Sequence, residues 1–226
     1  MTRIAFLHTG AVVIPPVIER ARAVLPDATF VNYLDDRIVA DLGDAERAAS
    51  VADRLVHLAE AARDAGADVV MLTCSSISAY AAPTAERAGI PVLRIDEAMT
   101  DQAVRTGQRI AVIATLPTTL TPTVALLRER AALAGVEPAI VEEVVDGAFA
   151  AVSGGDRALH DRLVTAAIER LAVDADVVVL AQASMASAAE SAHVAVPVLT
   201  SIEPGIARLG ELIAVRAATT TEGGVR

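Results

Sequence analysis

Short apolar runs alternate along the chain with longer stretches in which apolar residues recur every three or four positions. The short runs are nearly continuous, which is typical of strands buried on both faces of a parallel sheet. The longer stretches are typical of amphipathic helices, and the clearest one spans Asp44–Ala65 and stops at Gly66. Strands that alternate with helices predict an α/β fold. The predicted strands are Arg3–His8, Thr29–Leu34, Asp68–Thr73, Pro91–Arg94, Arg109–Ala114, Pro138–Val141, Asp176–Ala181 and Val196–Thr200.

The sequence also repeats itself at a nearly constant spacing. Residues 67–76 match residues 175–184 at an offset of 108, and two further segments match at an offset of 106. These further matches are Arg3–Ala5 with Arg109–Ala111, and Pro91–Leu93 with Pro197–Leu199.

The repeat predicts two homologous lobes with parallel sheets, related by pseudo-twofold symmetry. We assign Met1–Gln102 to lobe 1 and Ala103–Ser201 to lobe 2. A last helix over 203–216 is expected to pack back and complete lobe 1. The polar, Gly-containing tail 217–226 is expected to be frayed.

Composition excludes several classes of protein. All 19 cationic residues are arginine, so no residue can form a Schiff base, which excludes pyridoxal phosphate enzymes and lysine-type aldolases. Neither the phosphate-loop motif, which needs lysine, nor the GxGxxG dinucleotide fingerprint is present. The net charge of −10 argues against nucleic acid or an anionic membrane as a partner.

The single cysteine, Cys74, excludes an intrachain disulfide and a cysteine-rich zinc site, and it suits a reducing cytoplasm. No apolar run approaches the ~20 residues that cross a bilayer. The amino terminus enters a strand pattern at once and lacks the layout of a signal peptide. We therefore expect a cytoplasmic protein. Exposed Ala-rich helical faces would permit a homo-oligomer, although nothing in the sequence specifies one.

The candidate chemistry lies where the strands end, because ligands of open parallel sheets bind beyond the carboxyl ends of the strands. If the two lobes face each other, Cys74 and Gln182 lie opposite across one cleft. The informative strand ends are His8–Gly10, Thr73–Ser76, Thr115–Thr119 and Ala181–Ser184.

Cys74 and His8 each have two interpretations. Cys74 is either a small buried hydrophobe or a catalytic thiol, which a following helix N-terminus would favour as the thiolate. His8 either accepts a proton from Cys74 or forms local hydrogen bonds that orient its loop.

Hydroxyl groups and free helix N–H groups near these strand ends predict a carboxylate cradle that needs no fixed cation. The alternative is ordinary helix capping, which requires only one of the hydroxyls. The predicted substrate-binding residues, beside the two catalytic candidates, are Thr9, Ser75, Ser76, Thr115, Thr118, Thr119, Gln182, Ala183 and Ser184.

Two further segments contain glycine or acidic residues that could serve a site. Residues 146–155 form either a mobile cover with glycine hinges or a plain loop. Asp35–Asp36 is interpreted as a turn with solvated charges, because no third ligand accompanies it to make a metal site.

With these motifs in hand, the chain resembles the aspartate/glutamate/hydantoin racemase superfamily over nearly its whole length. The first strand and His8–Gly10 are similar to a strand that ends Asp-Ser-Gly in glutamate racemases. Cys74–Ser76 is similar to the first cysteine motif, usually Cys-Asn-Thr or Cys-Asn-Ser, and residues 114–119 are similar to a threonine loop. Residues 180–185 are similar to the second cysteine motif, Leu-Gly-Cys-Ala-Gly-Met in hydantoin racemases.

The resemblance implies two flavodoxin-like lobes with the site between them, and proton transfer next to a carboxylate without a cofactor or metal. In the family, one thiol removes the α-proton and a second thiol on the opposite face returns one. This chain departs from the pattern, because Gln182 occupies the position of the second cysteine, His8 replaces aspartate and Ser75 replaces asparagine.

Three hypotheses remain open. The first is a racemase, isomerase or lyase that acts on a small carboxylate through Cys74; arylmalonate decarboxylases in the superfamily use one cysteine in this way, although they keep the second one. Gln182 would then be an oxyanion donor or a substrate holder. The second is a non-catalytic carboxylate-binding protein. The third is a two-base racemase in which another group replaces the missing thiol.

Overall fold

A computed structural model describes residues 1–222 and contains two four-stranded parallel sheets. This confirms the predicted α/β fold class with two lobes. The strand order is β2-β1-β3-β4 in lobe 1 and β6-β5-β7-β8 in lobe 2. The strands are β1 Arg3–His8, β2 Thr29–Leu34, β3 Val69–Leu72, β4 Val92–Arg94, β5 Arg109–Ala114, β6 Ala139–Val144, β7 Val177–Leu180 and β8 Val198–Leu199.

Helices connect successive strands, as a parallel sheet requires. They are α1 Ile14–Val24, α2 Ile38–Leu42, α3 Ala45–Asp64, α4 Ala81–Ala88, α5 Glu97–Thr106, α6 Pro117–Ala134, α7 Ala148–Ser153, α8 Arg157–Leu171, α9 Ala186–Ser191 and α10 Ile202–Glu222. Three 3-10 segments, Ala11–Val13, Ser75–Tyr80 and Ala183–Met185, follow β1, β3 and β7.

The element bounds follow from local sequence. Helix α3 begins after Asp44, whose side chain accepts from the N–H groups of Glu46 and Arg47. The edge strand β6 continues beyond its predicted end at residue 141 to Val144, and the added residues include the exposed Glu142 and the half-buried Glu143. Both carboxylates are bound by arginines of neighbouring helices, Arg128 and Arg170.

The sequence repeat corresponds to a structural repeat. The Asp68 side chain accepts from Arg3 N at 2.8 Å, where β1 begins. At the equivalent place in lobe 2, the Asp176 side chain accepts from Arg109 N at 2.9 Å. These aspartates fix the start of each lobe's first strand. Both starts lie at the amino ends of the strands, opposite the end where the cleft is predicted.

The last helix, α10, packs on lobe 1 beside α1. Ile202, Ile206 and Leu209 are buried with Phe6 and Met71 of the first sheet. The helix continues to Glu222, whereas the sequence pattern ended it at residue 216 and left the following residues as tail. Residues 223–226 of that tail lie outside the described residues. The lobe boundary at 102/103 falls inside α5 and stays a prediction.

Charged groups on α5 tie the lobes together. Asp101 of α5 accepts from Arg130 of α6 in lobe 2, and from Arg208 of α10 at 2.6 Å. Burial opposes ionisation of Asp101, but the bonds from Arg130 and Arg208 outweigh it and lower the pKa of this carboxyl. These contacts set how α6 and α10 sit on α5.

Within residues 1–222, no helix combines the length and apolarity that crossing a bilayer demands.

Replacing Gly205 by alanine is expected to destabilise the protein by about 1–3 kcal/mol. A Cβ at this position of α10 would overlap the backbone oxygen of Ile95 and approach Ile95 Cγ1 to 2.7 Å. Gly210→Ala in the same helix is the matched control, because its Cβ meets side-chain methyl groups of Val24 at 2.9 Å and Leu25 at 3.9 Å, and no backbone atom. Both changes gain similar helix propensity. Thermal unfolding followed by circular dichroism measures the difference, and equal melting temperatures for the two variants would refute this packing argument.

Candidate active site

A cavity of about 770 Å³ lies where the carboxyl ends of the two sheets face each other. Residues of both lobes line it, as expected for a site in the cleft. The predicted site residues that line it are Thr9, Cys74, Ser75, Ser76, Thr118, Thr119, Gln182, Ala183 and Ser184. His8 and Thr115 are not among its lining residues and are almost fully buried.

Cys74 and Gln182 adopt the same backbone conformation at equivalent places in the two lobes. Each lies just beyond its central strand and precedes a 3-10 segment, with φ, ψ of −130°, 125° for Cys74 and −129°, 135° for Gln182. The carbonyl of each accepts from the N–H group three residues later, at 3.1 Å in both lobes. The internal repeat therefore presents a thiol from one lobe and an amide from the other to the same cavity.

The two motifs contact each other directly across the lobe interface. Ser75 Oγ donates to the carbonyl of Ala181 at 3.0 Å, so the neighbours of Cys74 and Gln182 are hydrogen-bonded. Ser76 Oγ and Thr119 Oγ1 are 3.0 Å apart and share a hydrogen bond. These bonds close the cavity floor and hold the thiol and the amide in a common site.

The orientation of the Gln182 amide is fixed by its partners. Its Oε1 accepts from Thr115 N at 2.6 Å and from Thr115 Oγ1 at 2.9 Å. A backbone N–H can only donate, so the amide oxygen must face Thr115. The Nε2 group of Gln182 makes no hydrogen bond within the described part of the chain, and it is left as a donor for a ligand in the cavity.

Several further donors around the cavity lack partners. The 3-10 segments after Cys74 and Gln182, and helix α6 after Leu116, begin without a side-chain cap among the described residues. Their first N–H groups have no intrahelical acceptor. The Thr118 hydroxyl is buried without a hydrogen-bond partner in the described chain. Such a set of hydroxyls and N–H groups can hold a carboxylate.

A buried carboxyl, Asp96, supports the Cys74 segment from behind. Ser78 Oγ donates to Asp96 Oδ1 at 2.8 Å and lies 3.5 Å from the Cys74 carbonyl. Burial raises the pKa of Asp96, and the charge of Arg94 partly offsets this effect. The chain Asp96–Ser78–Cys74 fixes the turn that presents the thiol.

His8 is held by its own neighbours and does not line the cavity. Nε2 donates to Asn32 Oδ1 at 2.9 Å, and Nδ1 shares a hydrogen bond with the Thr73 hydroxyl at 2.8 Å. Burial lowers the pKa of His8, and the bond to Asn32 only partly opposes this shift. Both ring nitrogens are engaged, so these contacts support the local, orienting role that the sequence left open rather than proton transfer from Cys74.

The buried, neutral state of His8 predicts a pH dependence of stability. Because its pKa in the folded chain is below the ordinary 6.5, the unfolded chain binds more protons on the acid side of that value. The free energy of unfolding should therefore fall as the pH drops below about 6.5, and then level off below the folded pKa.

The measurement is thermal unfolding by circular dichroism across this range, with His8→Gln beside the parent protein. The His8→Gln variant should lose this part of the pH dependence. His57→Gln changes an exposed helical histidine and serves as the matched control. An unchanged profile for His8→Gln would contradict the assignment.

The structure also shows site residues that the sequence analysis missed. Asp36 is exposed in a turn, as predicted, and it also lines the cavity. Its neighbour Asp35 is bound by Arg54, so the interpretation as a solvated charge is wrong for Asp35. Residues 146–155 are not a plain loop, because they contain helix α7, whose Phe149 and Val152 line the cavity. No three His, Cys, Asp or Glu side chains of the described chain form a metal-binding group.

The strand pairing makes these residues equivalent in the two lobes. Strands β2 and β6 pair with β1 and β5 in the same register, which makes residue 29 equivalent to residue 139. At that offset of 110, Val39 corresponds to Phe149 and Asp36 to Asp146. The segment after β2 therefore corresponds to the segment after β6, and both contribute to the cavity wall, an equivalence that the strand register reveals.

A family model of the Asp/Glu/hydantoin racemases matches residues 7–209. The chain therefore belongs to the Asp/Glu/hydantoin racemase family, as the resemblance of its motifs predicted. No curated protein matches the chain by sequence.

Solved structures share the two-lobe fold at low sequence identity. A glutamate racemase from Bacillus anthracis superposes with a TM-score of 0.75 at 17% identity, over 95% of this chain and 82% of that one. Allantoin racemase from Klebsiella pneumoniae gives 0.66 at 20% identity, over 95% and 89%. A glycine-to-cysteine variant of arylmalonate decarboxylase, in a sulfate-associated form, gives 0.58 at 21% identity, over 99% and 94%.

Proposed function

We propose that this protein transfers a proton at the carbon next to the carboxylate of a small organic or amino acid, without a cofactor, and that Cys74 is its single thiol acid/base. The observation that carries the proposal is the pairing of Cys74 with Gln182 at duplicated positions of one cavity. Membership of the racemase family supports the same chemistry.

The proposed reaction begins with the substrate carboxylate in the cradle of hydroxyls and N–H groups. The Cys74 thiolate removes the α-proton, and the electron pair of the C–H bond moves into the carboxylate, which becomes an enediolate. Donors aimed at the oxygens where negative charge develops stabilise this intermediate. The Cys74 thiol exchanges its proton with solvent, then returns a proton to the α-carbon and becomes the thiolate again, so that atoms and charge balance.

The other residues have supporting roles in this proposal. Gln182 donates from Nε2 to the enediolate, and Thr115 holds the amide in that orientation. Thr118 and the Ser76–Thr119 pair supply hydroxyls to the cradle, whereas Ser75 supplies its backbone N–H, because its hydroxyl already donates to Ala181. Thr9, Ala183 and Ser184 complete the cradle. His8 acts as a positioning residue, because it bonds Thr73 of the cavity wall.

The proposal has a stereochemical consequence. Among the residues described as lining the cavity, Cys74 and Asp36 are those whose side chains ordinarily exchange protons, and both belong to lobe 1. An amide at position 182 cannot deliver a proton to the opposite face at neutral pH. We therefore expect exchange of the α-proton with solvent from only one enantiomer of a substrate, with retention of configuration.

The test is proton NMR in D₂O on each enantiomer of a panel of α-substituted carboxylic acids. Loss of the α-proton signal from one enantiomer alone supports one-sided proton transfer. Equal exchange and interconversion of both enantiomers would instead support a two-base racemase, with Asp36→Asn as the variant that identifies the second base. If an acid binds but its α-proton never exchanges with solvent, the result would instead support a non-catalytic carboxylate-binding protein.

Decarboxylation is the second candidate, because the cavity offers one thiol and no partner for it at position 182. In such a reaction the C–C bond to a carboxylate breaks, CO₂ leaves, and the resulting enediolate takes a proton from the Cys74 thiol. Only one proton donor is required, as this site provides. Release of CO₂ from an α-substituted malonate, with formation of one product enantiomer, distinguishes this reaction from exchange.

A further inference from the structure

The cavity has a polar end and an apolar end, and they come from different parts of the fold. The polar end is built from segments that follow the central strands, including Cys74, Ser76 and Gln182. The apolar end is built from the segments that follow the outer strands β2 and β6, namely helices α2 and α7. Val39 of α2 and Phe149 and Val152 of α7 line this end. Val12 and Val13 after β1, and Leu116 after β5, add further apolar side chains to the cavity lining.

Phe149 occupies an unusual position for this composition. The chain contains three phenylalanines, of which Phe6 and Phe30 stack on each other at 5.9 Å in the core of lobe 1. Phe149 is 39% exposed and lines the cavity, where Val12 is 52% exposed. An exposed apolar cluster that rims a concave site is typical of ligand binding, because a bound apolar group would remove it from water.

Helix α7 is held so that Phe149 faces the cavity. The buried ring of His160 donates from Nδ1 to the carbonyl of Ala148 at 3.0 Å, at the start of the helix. Gly147 and Gly155 flank α7 with φ of 76° and 87°, a conformation that suits glycine at each end of the helix. The aromatic wall is therefore part of the fold and does not depend on a free loop.

The charges of the lining argue against an ionised substrate side chain. Asp36 is the charged residue described in the lining, and no arginine within residues 1–222 contributes to it. A second carboxylate placed at the apolar end would lose hydration, meet no cation and lie in the same cavity as Asp36.

We infer that the α-carbon of the ligand carries an uncharged apolar substituent, aryl or branched alkyl, which packs against Val39, Phe149 and Val152. The inference rests on the proposed function, because that function places the carboxylate at the polar end and the α-carbon at Cys74. It excludes acidic amino acids as preferred ligands of this chain.

The experiment measures binding by isothermal titration calorimetry, with phenylacetate, acetate, succinate and glutamate as probes. Phenylacetate should bind at least about tenfold more tightly than each of the other three. Phe149→Ala should weaken phenylacetate binding about tenfold and leave acetate binding unchanged. Val152→Asp should also weaken phenylacetate binding, whereas Val173→Asp, at a position 79% exposed and not lining the cavity, should not.

Succinate or glutamate binding as tightly as phenylacetate would overturn the inference, as would undetectable binding of phenylacetate or its indifference to Phe149→Ala. The titration is repeated on Cys74→Ala, which removes the proposed acid/base and keeps the apolar wall. If both proteins bind phenylacetate most tightly but the parent protein exchanges no α-proton, the inferred ligand class is supported and the proposed function is refuted. If the parent protein exchanges the α-proton of glutamate but does not bind phenylacetate, the proposed function is supported and the inferred ligand class is refuted.

Discussion

Replacing Gln182 by glutamate is expected to slow α-proton exchange by about 10²–10³-fold. The glutamate side chain has the same length, and one of its oxygens can still accept both bonds from Thr115. Its second oxygen takes the place of Nε2, so the site loses a donor and gains a negative charge beside the developing enediolate. The substitution therefore removes the proposed oxyanion donor while leaving the local packing in place.

The measurement is the initial rate of α-proton loss in D₂O for the parent protein and for Gln182→Glu, at saturating substrate. Gln102→Glu is the matched control, because it makes the same change on an exposed face of α5. It should leave the rate unchanged. A Gln182→Glu protein that exchanges as fast as the parent protein would show that this amide does not stabilise the transition state.

Much of the fold could be predicted from the sequence because its strands are buried on both faces. Such strands are continuous apolar runs, and β1 and β5 have the bounds that the pattern predicted, as does the half-buried edge strand β2. The fixed offset of the repeat then predicts two similar sheets, since both copies have the same pattern of buried positions. The edge strand β6 was less predictable, because the exposed Glu142 and the half-buried Glu143 do not follow an apolar pattern.

The polar half of the candidate site was also accessible from sequence, whereas its apolar half was not. Strand ends of a parallel sheet converge, so Cys74, Ser76 and Gln182 could be placed together from topology alone. Phe149 and Val39 look like ordinary helical residues, and only the pairing of β2 and β6 with the central strands brings them to the cavity. The histidine was ambiguous for a similar reason: burial and the partner Asn32 on β2 cannot be read from residues near His8.

The orientation of Gln182 required the structure as well. The sequence shows an amide in place of a thiol, but not which end of that amide meets the cavity. The backbone N–H of Thr115 decides this, because it can bond only the oxygen. The residue that replaces the second thiol therefore supplies a hydrogen-bond donor, Nε2, in the proposed site.

Replacing Cys74 by alanine is expected to reduce α-proton exchange by at least about 10²–10⁴-fold, the usual effect of a positioned acid/base group. Cys74→Ser should lose nearly as much, because a serine hydroxyl is far less acidic than a thiol. Neither change should unfold the protein, since Cys74 is only half-buried and lines a cavity.

The most direct measurement is therefore the rate of α-proton exchange in D₂O by the parent, Cys74→Ala and Cys74→Ser proteins, on a carboxylic acid that all three bind. Binding to all three is established first by calorimetry, so that a loss of rate is a loss of chemistry. The account predicts exchange by the parent protein from one enantiomer and almost none by either variant. Exchange by Cys74→Ala at the parent rate would contradict it.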